Sequence, residues 1–448
     1  MCRVVKIIRL CLFGSTYLLA ILIYRLVVED SDILHHVKLE VGRDQRIGTI
    51  DFNDGTGRQV WDEAAVKKTA VEMEKRRRQI QQACRHLDSS DSRLLRAIVS
   101  VPKSVVYCAV EKTASTFFRR YMYQLDHTDP MRTPFEVPVK LIYNCPNLFT
   151  NFDKYISQLA NKHISLPKNK NKNMKKRKAL EANTFLQKSI NFLFVRDPYS
   201  RLFSAYIDKL FAPNPDFWRK WGKPAIHKHR KNATRISSRC GHDATFEEFL
   251  LFVLDLKANL GTMDEHLRPM TELCQPCNVN YTVVGHMNTF NTDLSYLSSL
   301  LNVTHSQLQL HKMADDQTQD AIEDSIMDAF SVWTSRIVQC LPKLEAGKRV
   351  WAKLQYRGIV SERFKFPLDS DPKSFDAMDV DDFIQMAKSA VKVFVDPDEL
   401  HRQKEAAITN AYRTVRLDVL EAIAKMYAQD FKVFGFNDRP SEIFYRSV

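Results

Sequence analysis

The sequence predicts an α/β domain held behind an N-terminal membrane helix and a polar stem. Three observations carry that expectation. From Leu94 onward, strand-like and helix-like segments alternate, as in α/β domains. Two apolar runs, at 104–110 and 190–195, lead through short charged loops into amphipathic stretches. Residues 7–28 are almost wholly apolar. At 448 residues, with 44% hydrophobic and 10% aromatic content, the chain has material for a large core and more than one compact unit. That content excludes wholesale disorder, and 12 glycines with 17 prolines exclude a collagen-like chain.

The run from Ile7 to Val28 is interrupted by Arg9 and by Gly14 to Thr16 near its start, and by Arg25 near its end. Roughly 20 such residues match a bilayer's hydrocarbon core, and both arginines lie close enough to the ends to snorkel. Arg3, Lys6 and Arg9 precede or open the run, while Glu29, Asp30 and Asp32 follow it. Residues 1–6 therefore read as a cytoplasmic tail and 7–28 as an uncleaved transmembrane signal anchor. A cleaved signal peptide is the rival, but no small-x-small site follows the run. The rest of the chain then lies in the secretory lumen, which argues against nucleic acid as a partner. Asn232, Asn280 and Asn302 each open an Asn-x-Thr glycan acceptor sequence. Cys84, Cys108, Cys145, Cys240, Cys274, Cys277 and Cys340 follow the anchor. In an oxidising lumen most should pair, leaving one free or intermolecular.

Residues 29–95 read as a stem. Its stretch from Trp61 to Arg85 is polar and Arg-rich, without a strong apolar stripe, and is expected to be a solvated helical spacer or weak coiled coil. Residues 96–448 form the lumenal domain. Within it, residues 168–178 carry seven basic residues and no acid, and are expected as a solvated loop. The formal net charge of +13, more than half of it here, suits a polyanionic partner such as an acidic glycan.

Two segments carry chemistry. Ser104 to Val110 is a β-branched run, Glu111 to Thr116 a short loop of small and hydroxyl residues, and Phe117 onward an amphipathic helix. Such a strand–loop–helix unit aims backbone N–H groups and a helix N-terminus at an anion. Lys112 adds a point charge, and Ser115 and Thr116 add hydroxyls. The glycines and the Gly-Lys-Ser/Thr ending of a Walker A loop are missing, which disfavours a nucleotide kinase. In the second segment the apolar strand Ile190 to Val195 ends at Arg196, and Pro198 suits the first turn of a following helix. Arg196 then stands at the strand's C-terminal edge, where open α/β sheets bind ligands. Ser204 lies about two turns into that helix, and the two side chains would grip one phosphate.

These segments resemble the 5′-phosphosulfate loop and the 3′-phosphate motif of Golgi carbohydrate sulfotransferases, the branch holding the HNK-1, chondroitin, dermatan and GalNAc 4-O-sulfotransferases. Three further stretches resemble that family in the same order. Asp264 to Pro269 is similar to its His-Trp-x-Pro element. Leu273 to Gly285, with Thr289 and Asp293 after it, is similar to its Cys-x-Pro-Cys block. Tyr427 to Phe436 is similar to its C-terminal Tyr-x-x-Asp-Phe/Tyr-x-x-Phe-Gly-Tyr ending. Three features depart from the pattern: Glu111 stands where the family has proline, Leu267 replaces tryptophan, and about 120 residues, 305–425, separate the last two blocks.

The resemblance implies a P-loop-like sulfotransferase fold, with a central parallel sheet flanked by helices. It implies 3′-phosphoadenosine 5′-phosphosulfate as donor, a glycan acceptor, and an enzyme set in the Golgi membrane as a single-pass type II protein; a homodimer is left open. Lys112 would stabilise charge on the bridging oxygen, with Thr113, Ala114, Ser115, Thr116 and Phe117 holding the 5′-phosphate and Arg196 and Ser204 the 3′-phosphate. His266 would take the acceptor's proton, with His242 in reserve. No metal is expected, since lysine and helix dipoles supply positive field; Cys240, His242, Cys274 and Cys277 would make a zinc site, but disulfides suit the lumen better. The competing reading is a catalytically inactive lumenal glycan-binding or scaffold protein, suggested by the charge of Glu111 beside a phosphate loop.

Overall fold

The computed structural model describes residues 62–85, 97–127, 133–144, 150–151, 171–258, 263–303, 310–369, 371–393 and 395–445. The expected anchor at 7–28 lies outside the described residues; among these, no helix is long and apolar enough to cross a membrane.

Five strands form one sheet in the order β3-β1-β2-β4-β5. They are β1 (Ile98–Ser100), β2 (Val105–Cys108), β3 (Thr150–Asn151), β4 (Ile190–Val195) and β5 (Val283–His286). β2, β4 and β5 are parallel, while β1 pairs antiparallel with β2 and β3. The central parallel sheet therefore spans three strands, with an antiparallel edge. Alternation sorts each strand between two cores. Val105, Tyr107, Phe192, Phe194 and Val283 face one side, and Val106, Cys108, Leu193, Val195 and Val284 the other. Gly285 is needed where the sheet is tightest, because a Cβ there would sit 2.4 Å from the Phe194 ring.

Helices cover both faces, and a large helical layer continues from one end. The elements used below are α1 (Glu63–Cys84), α2 (Ser115–Asp126), α3 (Asn171–Lys188), α4 (Pro198–Tyr206), α5 (Phe246–Asp255), α6 (Phe290–Leu300) and α7 (Leu310–Met327). After them come α8 (Lys343–Tyr356), α9 (Val380–Lys392), α10 (Pro397–Arg413), α11 (Leu417–Met426) and α12 (Ala428–Phe434). Phe118 and Tyr121 of α2 and Leu294 and Leu297 of α6 cover the first face. Ala182 of α3 and Val433 and Phe434 of α12 cover the second. The long 305–425 interval is filled largely by α7 to α11, whose Ile322, Trp351, Phe383, Ile408 and Leu420 share one core with α4 and α5.

Two expectations change here. The basic run, expected as a loop over 168–178, is helical from Asn171 onward and opens α3; lysine, arginine and methionine are good helix formers. The stretch expected as a solvated spacer within the stem is instead docked on the domain as α1. Its apolar positions are few, but Met73 is fully buried and Ile80 and Ala83 nearly so. Arg76 replaces the missing stripe. Its guanidinium donates to the Val284 carbonyl at 2.8 Å, to Asp293 at 2.7 Å and to the Thr289 hydroxyl at 3.1 Å. Asp293 is buried and also accepts from the His286 N–H at 2.8 Å.

Disulfides complete the attachment. Cys84 at the end of α1 bonds to Cys277, Cys108 at the end of β2 to Cys274, and Cys240 to Cys340. None of the cysteines considered for zinc keeps a thiol, which overturns that alternative. Cys145 lies outside the described residues. Arg76→Met should cost about 3–5 kcal/mol of stability, because it leaves the Asp293 carboxylate buried and uncompensated. The double variant with Asp293→Leu should recover part of that loss. Chemical denaturation of the three proteins checks both expectations.

Candidate active site at the strand ends

β2 enters a tight loop that begins α2. Lys112 and Ala114 adopt positive φ values of 70° and 61°, a left-handed conformation rare for residues with a Cβ. Thr113 is fully buried, its hydroxyl donating to the Val110 carbonyl at 2.8 Å. The Ser115 hydroxyl donates to Glu111 at 2.6 Å, and the Thr116 hydroxyl pairs with that of Tyr143 at 2.9 Å. Phe117 turns into the core against Phe118, Phe135 and Phe290. The hydroxyls expected to face a ligand are thus engaged by the protein. What the loop offers is the Lys112 ammonium and the backbone N–H groups of the first turn of α2, where no side chain caps the helix.

Glu111 does not oppose that field. Its carboxylate is held by Ser115 and by Arg119 at 3.1 Å. Burial disfavours its charge, but Arg119, His266 and the Ser115 hydroxyl outweigh this and keep it below the usual carboxylate range.

Lys112 is a poised cation. Its Nζ lies 2.8 Å from Asp208, in the π-helical turn Ile207–Phe211 that follows α4. Lys353 of α8 holds the other oxygen of Asp208 at 2.7 Å, and Lys209 approaches at 3.1 Å. Burial lowers the Lys112 pKa; Asp208 pulls it back and the two neighbouring lysines push it down, leaving it at about 8.

Arg196 stands at the C-terminal end of β4, and its guanidinium makes a long 3.4 Å hydrogen bond to the Lys112 carbonyl. Ser204 is in the second turn of α4; among the described residues its hydroxyl makes no hydrogen bond, and no contact joins it to Arg196. Arg201, one turn before Ser204, is almost fully buried and donates to the carbonyls of Glu111, Arg268 and Glu265 at 3.0, 2.8 and 2.8 Å. It therefore fastens the Lys112 loop to the segment that carries His266.

The His266 ring is held in a defined orientation. Its Nδ1 lies 2.8 Å from Asp264, so Nδ1–H donates to the carboxylate and Nε2 is left to accept. Its ring meets Phe217 and Trp221 edge-on. Behind it, Tyr427 donates to the Leu267 carbonyl. Asp430, fully buried, accepts from the N–H groups of Met270 and Thr271, both at 2.8 Å. The C-terminal Tyr-x-x-Asp sequence is thus the buttress of the His266 segment. His242 packs edge-on against Trp218 and, among the described residues, has no contact with the Lys112 loop.

Asp208, Lys353, Arg201 and Asp264 were not among the candidates read from the sequence. Lys353 carried a signal: it falls on the buried stripe of α8 beside Val350 and Leu354, where an unpaired lysine is not tolerated. Asp208 carried none, since its role depends on a turn 96 residues from Lys112 in sequence.

The sequence profile described as "Sulfotransferase family" matches residues 95–346. Carbohydrate sulfotransferase 11 of Mus musculus is 30% identical over 250 residues, 53% of this chain and 64% of that protein. Carbohydrate sulfotransferase 12 of Mus musculus is 29% identical over 51% of this chain and 53% of that protein. Carbohydrate sulfotransferase 9 of Homo sapiens is 27% identical over 57% and 53% respectively. The aligned part therefore spans about half to two thirds of these curated relatives. No solved structure matches the chain. With more than half its length matched by the family profile, on the stretch that holds Lys112, Arg196 and His266, the chain belongs to the sulfotransferase family.

Proposed function

We propose that the protein is a Golgi carbohydrate sulfotransferase, anchored through residues 7–28 with its catalytic domain in the lumen. It would move a sulfuryl group from 3′-phosphoadenosine 5′-phosphosulfate to a glycan hydroxyl. The observation that carries this reading is the junction of two anion sites. The Lys112 loop after β2 and Arg196 after β4 stand at the ends of adjacent parallel strands and share the Lys112 carbonyl. A nucleotide bearing phosphates at both its 3′ and 5′ positions fits such a pair.

When bound, the donor supplies an activated sulfur on its 5′-phosphate. Lys112 and the N–H groups of residues 113–117 would hold that phosphate and stabilise the negative charge left on it when the S–O bond breaks. Arg196, with Ser204, would hold the 3′-phosphate and set register. His266 Nε2 would take the proton of the acceptor hydroxyl as its oxygen bonds to sulfur, with Asp264 steadying the imidazolium. Pairing of Glu111 with the Arg119 guanidinium removes the reason for reading the chain as an inactive scaffold. The carbohydrate names of the relatives and the +13 charge support an acidic glycan as acceptor. The test is transfer of radiolabelled sulfate by the full chain to a panel of desulfated glycosaminoglycans and N-glycans. Labelling of one class supports the reading, and labelling of none contradicts it.

Arg196→Ala and Ser204→Ala should chiefly weaken donor binding, because both act remote from sulfur. Loss of one charge-assisted contact costs roughly 1.5–3 kcal/mol, or about ten- to a hundredfold in affinity. Unchanged binding of adenosine 3′,5′-bisphosphate by both variants would refute the assignment.

A further inference from the structure

Two more cations near Arg196, Arg357 after α8 and Lys404 on α10, lie beyond the stretch matched by the family profile. Arg357 follows the last turn of α8, its N–H bonded to the Lys353 carbonyl at 3.1 Å. Lys404 lies on α10. The buried neighbour Gln403 fixes the two segments together: its Nε2 donates to the carbonyls of Gln355 at 2.6 Å and Val360 at 3.0 Å, on either side of Arg357. Its Oε1 accepts from the Glu362 N–H at 2.8 Å. Packing is close enough that a Cβ on Gly358 would lie 3.5 Å from that of Lys404. At its other end α10 is fixed to the start of α4, where the Tyr412 hydroxyl donates to the Tyr199 carbonyl at 2.8 Å. That contact sets α10 across the segment holding Arg196.

The charges in this corner do not balance locally. Arg196 and Lys404 are each disfavoured as cations chiefly by burial; Asp197 is the largest charge acting on Arg196 and supports it, while Arg357 opposes both cations. Asp197 and Glu405 offset part of this. Asp197 spends one oxygen on capping α4, accepting from the Ser200 N–H at 2.8 Å, and Glu405 is exposed. Among the described residues Arg196, Arg357 and Lys404 make no ion pair within 4 Å. Arg201, also near, already donates to three carbonyls. Three partly buried, mutually repelling cations without a carboxylate in ion-pair range gain from an anion that joins them.

We propose that Arg357 and Lys404 complete, with Arg196, a binding site for a dianionic phosphate monoester. The inference rests on the donor reading above, in which Arg196 meets the 3′-phosphate. It assigns the recognition of that phosphate to the helical layer as well as to the strand end. It also gives the long 305–425 interval a role in donor selection: without a 3′-phosphate, the nucleotide leaves these cations unanswered.

Calorimetric titration of the full chain with adenosine 3′,5′-bisphosphate and with adenosine 5′-phosphate tests this. Arg357→Ala and Lys404→Met should each weaken the bisphosphate about tenfold or more, the scale of a charge-assisted contact. Both should leave the monophosphate unchanged, and Lys404→Arg should recover most of the loss. A thermal midpoint no lower than that of the wild type in Arg357→Ala and Lys404→Met excludes misfolding, since neither side chain supports the core and each loss relieves repulsion. Equal weakening of both nucleotides, or of neither, would overturn the inference. If Arg196→Ala is selective for the bisphosphate while Arg357→Ala and Lys404→Met are silent, only the inference fails. If the wild-type chain does not distinguish the two nucleotides, the donor reading fails with it.

Discussion

Lys112→Ala should lower kcat by roughly 10²–10³-fold or more, the loss seen when a preorganised donor to a developing negative charge is removed. Ground-state donor affinity should change much less, since charge on the bridging oxygen appears only as the bond breaks. The fold should survive the change. Asp208 keeps Lys353 at 2.7 Å and Lys209 at 3.1 Å, so its carboxylate is not left unpaired. The lysine also predicts a pH dependence with a definite sign. In the proposed role its charged form is the active one, and burial, against the pull of Asp208, lowers its pKa to about 8. kcat/KM should therefore fall as pH rises through about 8, since that ratio reports free-enzyme ionisations. Lys112→Arg, which stays protonated, should retain part of the activity and lose this basic limb. Pre-steady-state turnover with direct donor titration checks the division between rate and binding. A variant whose loss lies wholly in donor affinity would contradict the assignment.

His266→Ala should lower kcat about 10²–10⁴-fold, the usual contribution of a positioned general base. Asp264→Asn should reproduce part of the loss with donor binding intact, because the amide no longer favours the tautomer with Nε2 free. Near-normal turnover in His266→Ala would place the base elsewhere. Single-turnover rates at saturating donor, with direct donor titration of each variant, distinguish these results.

The sequence made the strand ends legible because their signals are local. A β-branched run that passes through Glu111 to Thr116 into an amphipathic helix needs no distant residue for its recognition. Nor does an apolar strand that stops at Arg196 before a proline. The donors within that loop were read less well: Ser115 and Thr116 looked like free hydroxyls, but their partners Glu111 and Tyr143 are settled by the turn and by packing. The docking of α1 was hidden for a different reason. Its buried positions, Thr69, Met73, Arg76, Ile80 and Ala83, keep helical spacing, but two of the five are polar, and the buried Arg76 and the bonded Cys84 carry no apolar signal. The Tyr427 and Asp430 motif was visible, yet its purpose was not. Only the fold brings those side chains behind Leu267 and Met270, some 160 residues earlier. Lys353 and Asp208 belong to the same class, a charge cluster assembled from elements that are close only in space.

The central claim is that the two strand ends hold one nucleotide between them. A crystal structure of the protein with adenosine 3′,5′-bisphosphate tests it most directly. The predicted result has the 5′-phosphate against Lys112 and the N–H groups of residues 113–117, the 3′-phosphate in contact with Arg196, and His266 facing the open side of the 5′-phosphate. A nucleotide bound away from Arg196 and Lys112, or with its 3′ and 5′ phosphates exchanged between them, would contradict the account.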